Sequence, residues 1–88
     1  MYTLLFSKKA IKHKALLKQA RLDGKVKALL EVIKENPYKN PPSYEKLVGD
    51  FSGMYSRRIN NQHRLVYKVS EEKKQVAVLS MWTHYEEL

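Results

Sequence analysis

The amino-acid sequence predicts an α+β fold, with two N-terminal helices packed on one face of a mainly antiparallel β-sheet. Three observations predict it. Residues 8–35 carry apolar side chains near helical spacing, whereas residues 44–82 fall into short runs rich in β formers. All three prolines lie between these halves, at positions 37, 41 and 42. Two helices followed by a strand meander form a layered α+β domain.

Residues 2–6 read as a short first strand, and Ser7 is a good N-cap for the helix after it. From Lys8 to about Arg21, the residues Ile11, Ala15, Leu16 and Leu22 recur near helical spacing, with lysines opposite. Asp23 and Gly24 are expected to break this helix. A second helix is expected over residues 25–35, with Val26, Leu29, Leu30 and Ile33 as its apolar stripe and Asn36-Pro37 as its stop. Residues 37–43 read as a loop.

Residues 44–48 and 54–59 read as strands separated by turn material at Gly49, Asp50, Ser52 and Gly53. Asn60-Asn61-Gln62 is expected to close a hairpin, because asparagine tolerates positive φ. Residues 63–69 form the next strand, with Leu65, Tyr67 and Val69 alternating against Arg64, Val66 and Lys68. After a polar turn at 70–74, residues 75–82 read as an interior strand, since Val76 to Leu79 are continuously apolar. The order is β-α-α-β-β-β-β. The face opposite the helices must be solvated or bind something.

The 88 residues form one domain, 1–88, with a modest core and little room for a deep small-molecule pocket. Lysine and arginine number 17 against 9 acids, a net charge of +8, which predicts a polyanionic partner. RNA, DNA, an acidic protein or an anionic membrane all satisfy the charge. No apolar run reaches membrane-spanning length, and no leader segment is expected. Without cysteine there is no disulfide framework, thiolate metal site or cysteine nucleophile. A cytoplasmic protein is expected.

The segment from Ser56 to Tyr67 holds Arg57, Arg58, His63 and Arg64 in two paired strands. A guanidinium is a permanent, planar, bidentate donor, suited to phosphate. Glu45 precedes this hairpin, and His84 and Tyr85 come after the last strand. A carboxylate, an arginine and a histidine can cleave RNA without a metal or cofactor. A base takes the ribose 2′ proton, the oxygen attacks the adjacent phosphorus, an acid protonates the departing 5′ oxygen, and a cation stabilises the phosphoryl oxygens. Glu45 is the candidate base, His84 the acid, Arg64 the cation and Arg58 a second phosphate clamp. Tyr85 can hold the phosphate or stack on a base.

The pattern Tyr44-Glu45-Lys46-Leu47, Phe51-Ser52-Gly53-Met54-Tyr55-Ser56-Arg57-Arg58-Ile59, His63-Arg64-Leu65-Val66-Tyr67 and terminal His84-Tyr85 resembles the YoeB/Txe branch of the RelE toxin superfamily. The resemblance covers about half the chain closely and implies a microbial-ribonuclease-like sheet with two N-terminal helices. It implies the toxin of a toxin–antitoxin pair, a ribosome-dependent mRNA interferase cutting mRNA in the A site. It carries the family's catalytic glutamate onto Glu45, the phosphate-stabilising arginine onto Arg64, the histidine acid onto His84 and the terminal tyrosine onto Tyr85. Arg58 is matched to the second arginine of the pair, and Lys46 and Arg57 are further candidates for RNA contact. A YefM-like antitoxin, operator DNA bound only as the toxin–antitoxin complex, and a homodimer are implied as partners.

Two departures stand out. Val48 occupies a position where family members often carry lysine. On a regular strand Lys46 faces away from Glu45, so it is no evident replacement. The chain also continues past Tyr85 with Glu86-Glu87-Leu88, whose carboxylates are expected to favour protonated His84.

Other residues have blander readings. His63 is expected to be structural and His13 a solvated helix residue. Arg57 alternates away from Arg58, so a structural or antitoxin contact suits it better than catalysis. Trp82, Tyr44, Tyr55 and Tyr67 are expected to pack. Lysines 8, 9, 12, 14, 18, 25 and 27 share their stretch with one acid, Asp23, which favours docking on ribosomal RNA over a merely solvated face. The competing function is a non-catalytic basic module that binds RNA or the ribosome and blocks translation sterically. It needs Arg64 and the lysines but neither Glu45 nor His84.

Overall fold

A computed structural model describes residues 1–82; His84, Tyr85 and the 86–88 tail lie outside the described residues. The elements run β1 (Thr3–Phe6), α1 (Lys8–Gln19), α2 (Asp23–Glu35), β2 (Glu45–Lys46), a 3₁₀ turn (Gly49–Phe51), β3 (Met54–Arg58), β4 (Arg64–Ser70) and β5 (Gln75–Ser80). They form one five-stranded sheet in the order β1-β5-β4-β3-β2. β1 pairs with β5 in parallel, and every other pairing is antiparallel. The sheet is therefore mainly antiparallel, and β5 is an interior strand, as its continuous apolar run predicts. No helix is long and apolar enough to cross a membrane among the described residues.

Ser7 caps α1 and also docks it. Its Oγ accepts from the Ala10 amide at 3.0 Å and donates to the Leu79 carbonyl at 2.8 Å. The end of α1 differs from expectation. Arg21 takes a left-handed φ of 59°, and the amides of Arg21 and Leu22 bond back to the carbonyls of Lys18 and Leu17. This returning pair closes the helix before Asp23 is reached. Asp23 and Gly24 therefore open α2 instead of breaking α1, and the acid sits in the first turn, where the helix dipole favours it.

The core lies between the helices and one sheet face. It joins Ala10, Leu17, Val26 and Ile33 to Leu65, Tyr67, Val76, Val78 and Met81, with Leu29 and Leu30 packed against it. The α2 stripe is as the sequence predicts, but the buried face of α1 is rotated. Ile11 and Leu16 are exposed, whereas Ala10, His13 and Leu17 are buried. His13 is thus no surface residue. Its Nδ1 accepts a hydrogen bond from the Met81 amide at 3.1 Å, which gives that ring nitrogen a partner.

The β3–β4 hairpin forms as predicted, by a different mechanism. Asn60, Asn61 and Gln62 all have negative φ. Asn60 turns the chain through its side chain, whose Oδ1 accepts from the amides of Gln62 at 2.9 Å and His63 at 2.7 Å. Gly53, at φ +91°, starts β3 in a conformation that side-chain-bearing residues rarely adopt.

Candidate active site

Strand alternation and register decide which side chains share a face. Glu45 on β2 lies opposite Ser56 on β3, Arg58 is two residues further along β3, and Arg64 on β4 lies opposite Arg58. Period-two alternation therefore puts Glu45, Arg58 and Arg64 on one face, opposite the one that carries Leu65 and Tyr67 under the helices. Two inter-strand steps and two residue rises separate the Glu45 and Arg64 backbones by about 12 Å. Glu45 and Arg58 are exposed and Arg64 is half-buried. The floor between them, Ser56, Val66 and Ser80, is buried. The Ser80 hydroxyl has no hydrogen-bond partner among the described residues.

Arg64 is pre-organised by the hairpin that precedes it. Its Nη1 donates to the Asn60 carbonyl at 2.8 Å and the His63 carbonyl at 3.2 Å. Nε and Nη2 make no bond to a described residue, so the guanidinium keeps donors for an anion on an already ordered side chain. Lys68, two positions beyond Val66 and exposed, adds a third cation to this face. The alternation of Arg64, Val66 and Lys68 was the signal for it.

Of the two further candidates for RNA contact, Arg57 is corrected by its burial, whereas Lys46 keeps the facing expected of it. Arg57 is fully buried. Its Nε donates to the Tyr67 hydroxyl at 3.1 Å, Nη1 to the Pro42 carbonyl, and Nη2 to the carbonyls of Lys39 at 2.9 Å and Pro37 at 3.1 Å. Its guanidinium also lies 5.0 Å from the Tyr44 ring centroid. All three nitrogens are committed, so a phosphate finds neither access nor donors there. Lys46 is exposed but pairs with Tyr55, which places it on the helix-side face, away from Glu45.

Arg57 instead pins the loop that delivers Glu45. The Tyr67 hydroxyl donates to the Pro37 carbonyl at 2.7 Å, and burial pushes that hydroxyl's pKa up, with Arg57 opposing the shift. Tyr55 stacks on Tyr67 and meets Tyr38 and Tyr44 edge-on, at centroid distances of 5.6–5.8 Å. A two-residue edge strand has little intrinsic stability. This arginine–tyrosine cluster and the bond from the Leu47 amide to the Met54 carbonyl hold it in register.

His63 is structural, as expected. Its Nδ1 lies 2.6 Å from the Trp82 carbonyl, and its ring stacks on the Trp82 indole at 4.1 Å. The carbonyl can only accept, so Nδ1 carries the proton. Val48 is 80% exposed just beyond β2.

Comparison with known proteins agrees with this architecture. Residues 9–85 match the model of the YoeB-like toxin of bacterial type II toxin–antitoxin systems. The chain is 38% identical over 65 residues to the toxin YoeB of Streptomyces coelicolor, covering 74% of this chain and 75% of that protein. It superposes on a YoeB/ParE toxin from Agrobacterium tumefaciens with a TM-score of 0.85 at 29% identity, over 94% of this chain and 99% of that one. It also superposes on the toxin of a heterotetrameric YoeB–YefM complex from Staphylococcus aureus, with a TM-score of 0.79 at 32% identity, over 97% and 99% of the two chains. The chain belongs to the YoeB-like toxin family of bacterial type II toxin–antitoxin systems.

Proposed function

We propose that this toxin is a metal-independent, ribosome-dependent endoribonuclease of the cytoplasm that cleaves mRNA in the A site and so inhibits translation. The observation that carries the reading is the helix-free sheet face on which adjacent strands present Glu45, Arg58 and Arg64. Glu45 takes the 2′ proton, Arg64 stabilises the phosphoryl oxygens with Arg58 beside it, and His84 protonates the departing oxygen. Tyr85 holds the phosphate or stacks on a base. An open face does not align a flexible strand for in-line attack, so the ribosome supplies that alignment. The exposed lysines of α1 and α2 dock on ribosomal RNA. A YefM-like antitoxin neutralises the toxin and joins it on operator DNA, a partnership supported by the Staphylococcus aureus complex. The toxin also forms a homodimer.

The test adds purified protein to ribosomes stalled on a defined mRNA and maps new ends by primer extension, with free mRNA as control. The expected result is a ribosome-dependent cut at the A-site codon, slowed about 10²–10⁴-fold by Glu45→Gln. Ribosome-bound protein that leaves the mRNA intact favours the steric binding module instead.

A further inference from the structure

The β5 ladder ends at Ser80, which pairs with Val66. The Met81 amide and the Trp82 carbonyl lie beyond it, and two buried imidazoles take them up. The Met81 N–H donates to His13 Nδ1 at 3.1 Å, and the Trp82 carbonyl accepts from His63 Nδ1 at 2.6 Å. Only 8% of His13 and 9% of His63 is exposed. A buried ring nitrogen without a partner is costly, so each ring is held to its bond as firmly as it holds the backbone.

The two rings come from different layers, His13 from α1 and His63 from the turn before β4. His63 is itself fixed. Its amide donates to Asn60 Oδ1 at 2.7 Å, and its carbonyl accepts from the Ile59 amide at 2.9 Å and from Arg64 Nη1 at 3.2 Å. The same turn therefore holds the Arg64 guanidinium and the Trp82 carbonyl. The stack of His63 on Trp82 further restricts residue 82.

We propose that His13 and His63 are positioning residues that together clamp the Met81–Trp82 backbone and set where residues 83–85 begin relative to Arg64. The proposal rests on the endoribonuclease reading, in which His84, two residues beyond the clamp, is the acid. Neither clamp histidine touches substrate. Their work is to hold the Met81–Trp82 backbone, two residues before that acid in sequence, on the same scaffold as the phosphate-binding arginine.

The test uses the full chain and four variants. His13→Leu removes the acceptor, and His13→Asn restores one through Oδ1. His63→Phe keeps the stack and removes the donor, and His63→Asn restores a donor. His13→Leu and His63→Phe are expected to slow single-turnover cleavage by about 10- to 100-fold at unchanged ribosome affinity, and the asparagine variants to recover most of the rate. Faster Met81 amide exchange and displaced His84 ring signals by NMR are expected in His13→Leu. Cleavage at the wild-type rate in both deletion variants overturns the proposal, as does loss of rate in step with ribosome affinity without asparagine rescue. Wild-type protein that leaves ribosome-bound mRNA uncut overturns the endoribonuclease reading instead. Met81 exchange and the His84 signals then decide the clamp by themselves, and overturn it if unchanged in His13→Leu.

Discussion

Arg57 shows how one residue type serves two ends. Its neighbour Arg58 is exposed on the helix-free face, while Arg57 is sealed beneath the proline loop against three carbonyls and a tyrosine. Hydrogen bonds to a buried guanidinium are stronger than neutral ones, and their loss leaves the carbonyls without partners. Arg57→Met is expected to cost about 2–4 kcal/mol by urea unfolding. It should also slow cleavage without changing the salt dependence of ribosome binding, because no phosphate contact is removed. His13 makes a pH prediction. Burial first, and Lys9 second, lower its pKa from 6.5. The unfolded chain then binds a proton that the folded one refuses, so this contribution to stability is complete above about pH 6.5 and is lost as pH falls towards the folded pKa. In His13→Leu the slope of stability against pH between 6.5 and 5 should flatten. An unchanged slope would assign it to another group.

At the scale of elements, the structure is a set of short pieces tied at their ends. Ser7 joins the start of α1 to the carbonyl of Leu79 on β5, so Ser7→Ala removes both a helix cap and a link to the sheet. A loss of about 1–2 kcal/mol is expected in thermal or urea unfolding, at the upper end for a cap. Tyr2 and Lys74 both meet Glu71, which holds the entry to β1 against the β4–β5 turn. Helix and strand identities were legible in the sequence because periodicity records burial directly. The phase of α1 was not. Taking Ile11 and Leu16 as the stripe accords with hydropathy, yet the docking of Ser7 and the bond from Met81 to His13 orient the helix so that a histidine lies inward. The end of α1 was misplaced for a similar reason. A left-handed Arg21 performs the function for which glycine was expected.

Across the whole molecule, charge and shape divide the labour. Seven lysines of the helical layer are exposed, and the helix-free face adds Arg58, Arg64 and Lys68. Binding to ribosomal RNA is expected to weaken steeply with salt, and each lysine contact removed should lower the slope of log affinity against log salt by about 0.7–0.9. Filter binding of Lys14→Gln, Lys18→Gln and their double variant across a salt series checks this. An unchanged slope would leave these lysines as a solvated face.

The sequence by itself determined the fold class, the order of elements, the interior position of β5 and the net charge, because each arises from local pattern or plain counting. It also brought out Glu45, Arg58 and Arg64 as candidates, through residue type and a motif resemblance. Only the tertiary structure decided that register gathers these three on one face, that Arg57 is sealed beneath the proline loop, and that His13 and His63 meet consecutive residues at the end of β5. These outcomes depend on partners 6 to 68 residues away in the chain. A pattern read along the backbone reports which face a residue prefers, but the partner that satisfies a buried polar group is chosen only when the layers close.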